Sequence, residues 1–134
     1  MKKVVINNCY GGFGLSHKGV MRYAEIKGMA LYPWIDDITK RVYGDKAIIG
    51  DDEVLHHYCT SPVVDGGCEK GTYFSVSDIS RDDPALIRVV EEMGGDASGR
   101  HSQLEVVEIP DGVDFVIEEY DGNEWIAEEH RTWS

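Results

Sequence analysis

The residues best suited to hold a ligand lie near the start of the chain, in Cys9-Tyr10-Gly11-Gly12-Phe13-Gly14-Leu15-Ser16. Glycines at 11, 12 and 14 give the backbone positive φ, which other residues reach only at a cost. Ser16 is an N-cap, whose hydroxyl accepts from an N–H two or three residues on. An apolar run, Val4-Val5-Ile6, precedes the loop and a helical run from His17 to Lys27 follows it. A strand that turns through glycines into a helix start leaves N–H groups pointing outward, the geometry that holds phosphates and carboxylates. Lys18 and Arg22, one helical turn apart, add two positive charges, and Tyr10 and Phe13 offer rings for a base to stack on. Arg81 and Arg100 flank the second helix and can reach a ligand from elsewhere in the fold. The expected ligand-binding set is therefore Tyr10, Gly11, Gly12, Phe13, Gly14, Ser16, Lys18, Arg22, Arg81 and Arg100. The plainer reading is a tight turn, with Phe13 in the core and Lys18 and Arg22 facing water. Neither nucleotide fingerprint is complete: Gly-Lys-Ser/Thr is missing, and no glycine stands three residues after Gly14.

Three other groupings carry reactive residue types. Cys9, activated by the helix start with His17 as base, would be a nucleophile, but no third residue orients His17, and a buried cysteine ending a strand is commoner. His56, His57, Cys59 and Cys68 are zinc-ligand types without the paired spacing of a structural site, and surface histidines with two ordinary thiols are the simpler expectation. Asp114, Glu118, Glu119, Asp121, Glu124, Glu128 and Glu129 would suit a magnesium ion or acid–base work. They equally suit a solvated face that keeps an edge strand from aggregating. No catalytic residue, metal ligand or cofactor is assigned.

The elements that must position these groups follow from pattern. Lys3 to Asn7 reads as a strand buried in the middle of a sheet. Ser16 to Lys27 is a helix with Val20, Tyr23, Ala24 and Ile26 toward the core, stopped by Gly28. Gly19 weakens its first turn by about 1 kcal/mol relative to alanine; a close approach of ligand or backbone would account for it, and so would mere tolerance. Met29 to Ile35 is a strand that Pro33 confines to an edge or bulge. Ile38 to Tyr43 reads as a strand, Asp51 to His56 as a helical turn, Ser61 to Gly71 as a glycine-rich loop and Thr72 to Val76 as a strand. The second main helix has Asp83 as cap, Pro84 at its first position, and Leu86, Val89, Val90 and Met93 at helical spacing, with Gly94-Gly95 ending it. The last third reads as a β-meander: Leu104 to Ile109, Val113 to Tyr120 and Glu124 to His130. Asp121-Gly122 is a type I′ turn that pairs Tyr120 with Asn123, Glu119 with Glu124, Glu118 with Trp125 and Ile117 with Ile126. That register opposes two glutamates, which is tolerable at a solvated tip or beside a cation. The expected fold is α+β, a mixed or antiparallel sheet with two main helices on one face and a C-terminal hairpin.

Composition sets outer bounds. The 134 residues are 42% apolar with a net charge of −12, expected as a single domain, 1–134. Residues 1–46 hold eight basic and four acidic side chains, +4, so the remainder carries −16, and no lysine or arginine occurs from His101 to His130. A uniformly acidic chain would repel nucleic acid and nucleotides; the basic first third, which contains the glycine loop, keeps an anionic ligand admissible. Nucleic acid itself is not an expected partner. No stretch approaches the length of a membrane span, and the N-terminus lacks a signal-peptide core. Three spaced cysteines argue against a disulfide framework and fit a reducing compartment.

The chain resembles small, mostly uncharacterised proteins encoded by tailed bacteriophages and prophages. The resemblance lies in residues 4–16, in Arg81-Asp82-Asp83-Pro84-Ala85-Leu86 with Val89-Val90-Glu91-Glu92, and in Ala97-Ser98-Gly99-Arg100. It closes with Val106-Val107-Glu108-Ile109-Pro110 and Glu118-Glu119-Tyr120-Asp121-Gly122. It implies a phage accessory protein in the cytoplasm of the infected bacterium and supplies no catalytic motif. With the loop and its basic residues, the expectation is an anti-defence protein that sequesters a small phosphorylated ligand, a nucleotide immune signal, without turnover. One alternative is an acidic protein that inhibits a host defence protein by imitating nucleic acid. The other is a small metal-dependent nucleotide hydrolase. A binder that builds its pocket between copies would be a homodimer.

Overall fold

Val4, Val5, Ile6 and Asn7 are all buried, and the way the chain covers both faces of that stretch sets the architecture. The computed structural model describes residues 2–9, 12–51, 54–64, 67–99 and 102–128. In it β1 (Lys2–Asn7) pairs antiparallel with β5 (Leu104–Ile109), from Lys2 opposite Ile109 to Asn7 opposite Leu104. Side chains alternate across this ribbon. Val5 and Leu104 face α1 (His17–Lys27) and α3 (Pro84–Met93), in a cluster with Tyr23, Leu86, Val89 and Val90. Val4, Ile6 and Ile109 face the opposite way, onto Phe115, Ile117 and Ile126 of a hairpin, β6 (Phe115–Tyr120) and β7 (Asn123–Glu128). Helices, ribbon and hairpin thus form three layers. The α+β class with antiparallel sheets and a C-terminal hairpin is as the sequence predicts.

A third sheet, β2 (Tyr32–Trp34), β3 (His57–Cys59) and β4 (Tyr73–Phe74), is also antiparallel, with β2 at its edge as Pro33 requires. It joins the body through Val20, Ala24, Leu31 and Tyr58.

The helix starts follow their caps. Ser16 Oγ accepts from Gly19 N–H at 3.0 Å, and Gly28 ends α1 at φ 72°. Asp83 accepts from Ala85 N–H with Pro84 at the first turn of α3. The hairpin register is the one the Asp121-Gly122 turn predicts, with Glu119 opposite Glu124.

Four expectations are corrected. Ile38 to Tyr43 is helical: α2 (Asp37–Tyr43) begins because Asp36 accepts from Thr39 N–H at 2.6 Å, a cap that outweighs the β-branched composition. The last three strands are not a meander, since β5 leaves its sequence neighbour to pair with β1 and, among the described residues, the hairpin pairs only with itself. Nor is β1 a central strand. It is buried on both faces, which produces the same continuous apolar run, but among the described residues it has one strand partner. Finally, Cys59 and Cys68 form a disulfide with Cα atoms 5.4 Å apart, leaving Cys9 as a free thiol. Two chain segments that β3 and the following loop bring together supply the pair, which spacing did not reveal. Within Asp51 to His56, Asp52 and Glu53 lie outside the described residues.

Gly19 has a backbone explanation. A Cβ there would stand 3.0 Å from the Ala97 carbonyl oxygen and 3.2 Å from Ser16 Oγ. We expect Gly19→Ala to lower the melting temperature, a net loss of about 1 kcal/mol, because overpacking exceeds the helix-propensity gain. Thermal unfolding checks it, and a raised melting temperature would show that the contact yields.

Candidate functional site

The glycine loop turns inward more than outward. Gly12 adopts φ 87°, and Tyr10 and Gly11 lie outside the described residues. The Gly14 carbonyl accepts from Gly99 N–H at 2.9 Å and from Ser102 Oγ at 2.7 Å. Ser16 is buried; besides capping Gly19 it donates to the Asp96 carbonyl at 2.6 Å, and its own N–H donates to Ala97. The loop is therefore zipped onto Asp96, Ala97, Gly99 and Ser102. Gly99 is part of the fit, since a Cβ there would meet the Gly14 carbonyl carbon at 3.2 Å.

The predicted cations do not converge on that loop as one cradle. Lys18 is exposed on the first turn of α1, where no acidic residue stands. Arg22 donates through Nε to Glu92 at 3.0 Å and through Nη1 to Glu25 at 2.6 Å, tying α1 to α3, and Arg88 shares Glu92. Arg22 and Arg88 together hold the Glu92 carboxyl below its ordinary range. Arg100 lies outside the described residues. Phe13 is half-buried against the helix core, and the Arg81 guanidinium stacks on its ring 3.7 Å from the centroid. So Phe13 and Arg81 do meet, while Ser16, Lys18 and Arg22 lie along α1.

Arg81 is also the partner of Glu124. Its two terminal nitrogens pair with the two carboxylate oxygens at 2.5 and 2.8 Å, a bidentate geometry. Glu124 Oε1 additionally accepts from the Asn7 backbone N–H at 2.8 Å. Arg81's own carbonyl accepts from Val5 N–H at 2.8 Å. The unpaired edge of β1 is satisfied by these two residues instead of by a strand. Asn7, fully buried, completes the node: Nδ2 donates to the Cys9 and Gly122 carbonyls and Oδ1 accepts from Gln103 N–H. Here is the cation that makes Glu119 opposite Glu124 tolerable. Burial pushes Glu124 upward, but the hydrogen bonds from Arg81 and Asn7 outweigh it, and the carboxyl titrates below its ordinary 4.5.

The hairpin's other face looks away from the body. It presents Val116, Glu118, Tyr120 and Trp125, with Tyr120 72% and Trp125 42% exposed. The Trp125 indole N–H donates to Glu118 at 3.1 Å. Glu129 lies outside the described residues. Among the described residues, no three His, Cys, Asp or Glu side chains are grouped to hold a metal ion.

A cluster of imidazoles and phenols was not anticipated. His17 contacts Tyr58 Oη through Nδ1 at 2.9 Å and stacks on His56 at 4.3 Å. His56 is buried, not at the surface; its Nδ1 faces the Val54 carbonyl at 2.7 Å while Nε2 accepts from Gly50 N–H at 3.0 Å, which defines a neutral Nδ1–H tautomer. His57, on the other face of the strand, pairs through Nε2 with Asp36 at 2.8 Å and through Nδ1 with Tyr73 Oη at 3.2 Å. Trp34 stacks on His57 and donates to Cys68 Sγ. The Asp36 carboxyl falls to about 2, chiefly through the Thr39 N–H and then through His57. The signal in the sequence is the alternation His56-His57-Tyr58-Cys59, which sends consecutive side chains to opposite faces.

No family model matches this chain, and no curated protein or solved structure matches it either.

Removing Arg81 would strand a buried carboxylate. Arg81→Met should cost about 2–3 kcal/mol by chemical denaturation, and Arg81→Lys should not restore it, because lysine is neither bidentate nor planar. Since Glu124 has a folded pKa below its unfolded value, its contribution is present above 4.5 and is lost as pH falls through the folded pKa. The stability of Glu124→Gln should therefore decline less steeply below that pH than the parent's, and parallel pH profiles would contradict the assignment.

Proposed function

We propose that this chain acts by binding, without turnover, and that its acidic hairpin is the surface it offers to a protein of the bacterial host. The observation that carries this reading is the division of labour among the hairpin's carboxylates. Glu124 is neutralised by Arg81 and fixes the hairpin to the body, while Glu118, beside exposed Tyr120 and Trp125, remains on the outward face. Glu119 and Asp121 extend the acidic surface at the tip. Aromatic side chains amid carboxylates suit a basic, partly apolar partner, and a nucleic-acid-binding protein has such a surface. The resemblance to phage-encoded proteins supports a host protein as the target and the infected cytoplasm as the place. The cysteines do not point to that compartment, because Cys59 and Cys68 are bonded.

The test is capture from host lysate with the parent and with Glu118→Lys/Glu119→Lys. The expected result is a nucleic-acid-binding protein retained by the parent, released by salt and displaced by DNA, and lost with the variant. Equal retention by the variant would overturn the reading. Glu124 is unsuitable for this test because its reversal would unfold the hairpin's anchor.

The second reading, an anti-defence protein that sequesters a small phosphorylated ligand at the loop, is favoured by one feature. The first turn of α1 carries Lys18 and no acidic residue, which suits an anion at a helix start. Arg22 and Arg81 count against it, since both already hold carboxylates. Native mass spectrometry of protein from infected cells should then show a retained nucleotide that Lys18→Ala loses at unchanged melting temperature.

A further inference from the structure

The segment between β3 and β4 is tied to the rest of the chain through one side chain. Its described residues are 61–64 and 67–71. Among them the backbone hydrogen bonds are local: Val64 and Gly67 exchange N–H and carbonyl at 3.0 Å, and the Glu69 carbonyl accepts from Thr72 N–H at 3.0 Å. None of these residues is ion-paired, none belongs to a core cluster, and Val63 and Val64 are exposed. The covalent and polar ties that reach outward meet at the Cys68 sulfur. It is bonded to Cys59, accepts from the Trp34 indole N–H at 3.2 Å and lies 3.5 Å from the Tyr58 carbonyl oxygen. Gly67 lies over the Trp34 ring, where an added Cβ would stand 3.9 Å from Cη2. The two bonded residues are placed very differently. Cys59 is fully buried in the middle strand of its sheet, between Tyr32 of β2 and Tyr73 of β4. Cys68 is half-buried, in a segment that is mostly exposed.

We propose that the Cys59–Cys68 bond is a reversible thiol–disulfide exchange site, attacked at Cys68, and that its reduction by a dithiol frees this segment while the fold persists. Exchange requires a thiolate to reach one sulfur of the bond, and burial reserves that role for Cys68. In the first step a thiolate of the reductant bonds to Cys68 Sγ, the bond to Cys59 breaks, and Cys59 leaves as a thiolate that takes up a proton. In the second step the reductant's other thiolate attacks its own sulfur bonded to Cys68. Cys68 then leaves as a thiolate and is protonated in turn. Two electrons and two protons pass to the chain, and the reductant ends as a disulfide. The Trp34 N–H already points at the Cys68 sulfur and is placed to hydrogen-bond the departing thiolate. The body keeps its structure because β3 retains a strand on each side and the segment contributes nothing to the core. The bonded residues are also only nine positions apart, and a short closure constrains the unfolded chain less than a long one. Disulfides that occur in reducing compartments are usually transient in this way. The inference does not rest on the function proposed above.

The experiment treats the purified full chain, without denaturant, with dithiothreitol and then, after its removal, with oxidised glutathione. Alkylation and digestion show Cys59 and Cys68 as one linked peptide or as two labelled ones. The expected result is labelled peptides after dithiothreitol and the linked peptide again after glutathione. Hydrogen exchange of the reduced protein should show protection lost over residues 60–72 and kept in α1, α3 and β1. The point of attack is read from Cys59→Ser and Cys68→Ser: oxidised glutathione should form a mixed disulfide at Cys68 of the first and leave Cys59 of the second unreacted until the chain is unfolded. A bond that resists dithiothreitol until denaturant is added, or that fails to re-form, would overturn the proposal. So would unchanged protection over residues 60–72, protection lost throughout the chain, or a Cys59 thiol that reacts as fast as that of Cys68. Reduction and exchange are measured on the parent, so they decide the matter even if a variant fails to fold.

Discussion

The constraint on which the rest depends is the unpaired edge of β1. A strand buried on both faces cannot leave its N–H groups to water, and each must find an acceptor inside the protein. On one edge β5 supplies them. On the other, the Arg81 carbonyl takes Val5 N–H and the Glu124 carboxylate takes Asn7 N–H. This solution has consequences in several directions. It holds residue 81, just ahead of α3, against the ribbon. It draws β7 to the end of β1 and so sets where the hairpin lies. It introduces a buried carboxylate, which is stable only with a cation beside it, and the guanidinium of the same Arg81 provides one. The flat face of that guanidinium then covers Phe13 and fixes the glycine loop. One arginine thus acts through its backbone, its charge and its plane.

Such a node is almost invisible in a sequence read locally. The caps of α1 and α3 were legible because Ser16 and Asp83 act on residues two or three positions away, and so was the hairpin register, which Asp121-Gly122 determines within four residues. The partner of β1 was not, because a continuous apolar run reports burial on both faces and says nothing of which strand lies alongside. The same holds for Arg81 and Glu124, separated by forty-three positions, and for Cys59 and Cys68, whose pairing needs β3 and the loop after it to fold back. The error at Ile38 to Tyr43 has a different origin. There a single aspartate cap competed with β-branched residues, and the local hydrogen bond prevailed. Of the ligand set, Gly12 has the positive φ that its type allows, but types and spacing could not tell that Arg22 faces Glu92 or that Ser16 is buried in its cap.

Charge asymmetry takes on a different meaning once the pairing is known. Read along the chain, a basic first third beside a glycine loop suggests attraction of a small anion. In the structure Arg22, Lys3 and Lys27 of that third face Glu92, Glu91 and Asp83 of α3 or its cap. Much of the asymmetry is therefore internal, positive α1 and β1 against negative α3. Exposed pairs of this kind add little to stability, but they orient one element on another and exclude alternatives in which like charges would meet. Lys40 and Arg41 of α2, with Asp37 on the same helix, and Glu118 of the hairpin are among the charges that face outward.

The histidine cluster serves as a structural joint. His56 is held neutral between a carbonyl and an N–H, and both acceptor and donor are backbone groups that fix its ring in place. His57 is oriented by Asp36, an arrangement that enzymes use, but Asp36 is at the same time the cap of α2 and His57 lies under Trp34 next to the disulfide. Removing that aspartate would release a helix start as well as a histidine, so the pair explains itself as the joint between α2 and β3. A catalytic histidine needs a face open to substrate and a second group placed to receive charge. In this cluster the stacked rings and the hydrogen bonds account for the side chains found there, and the joint holds α2 so that Ile38 and Val42 point to solvent.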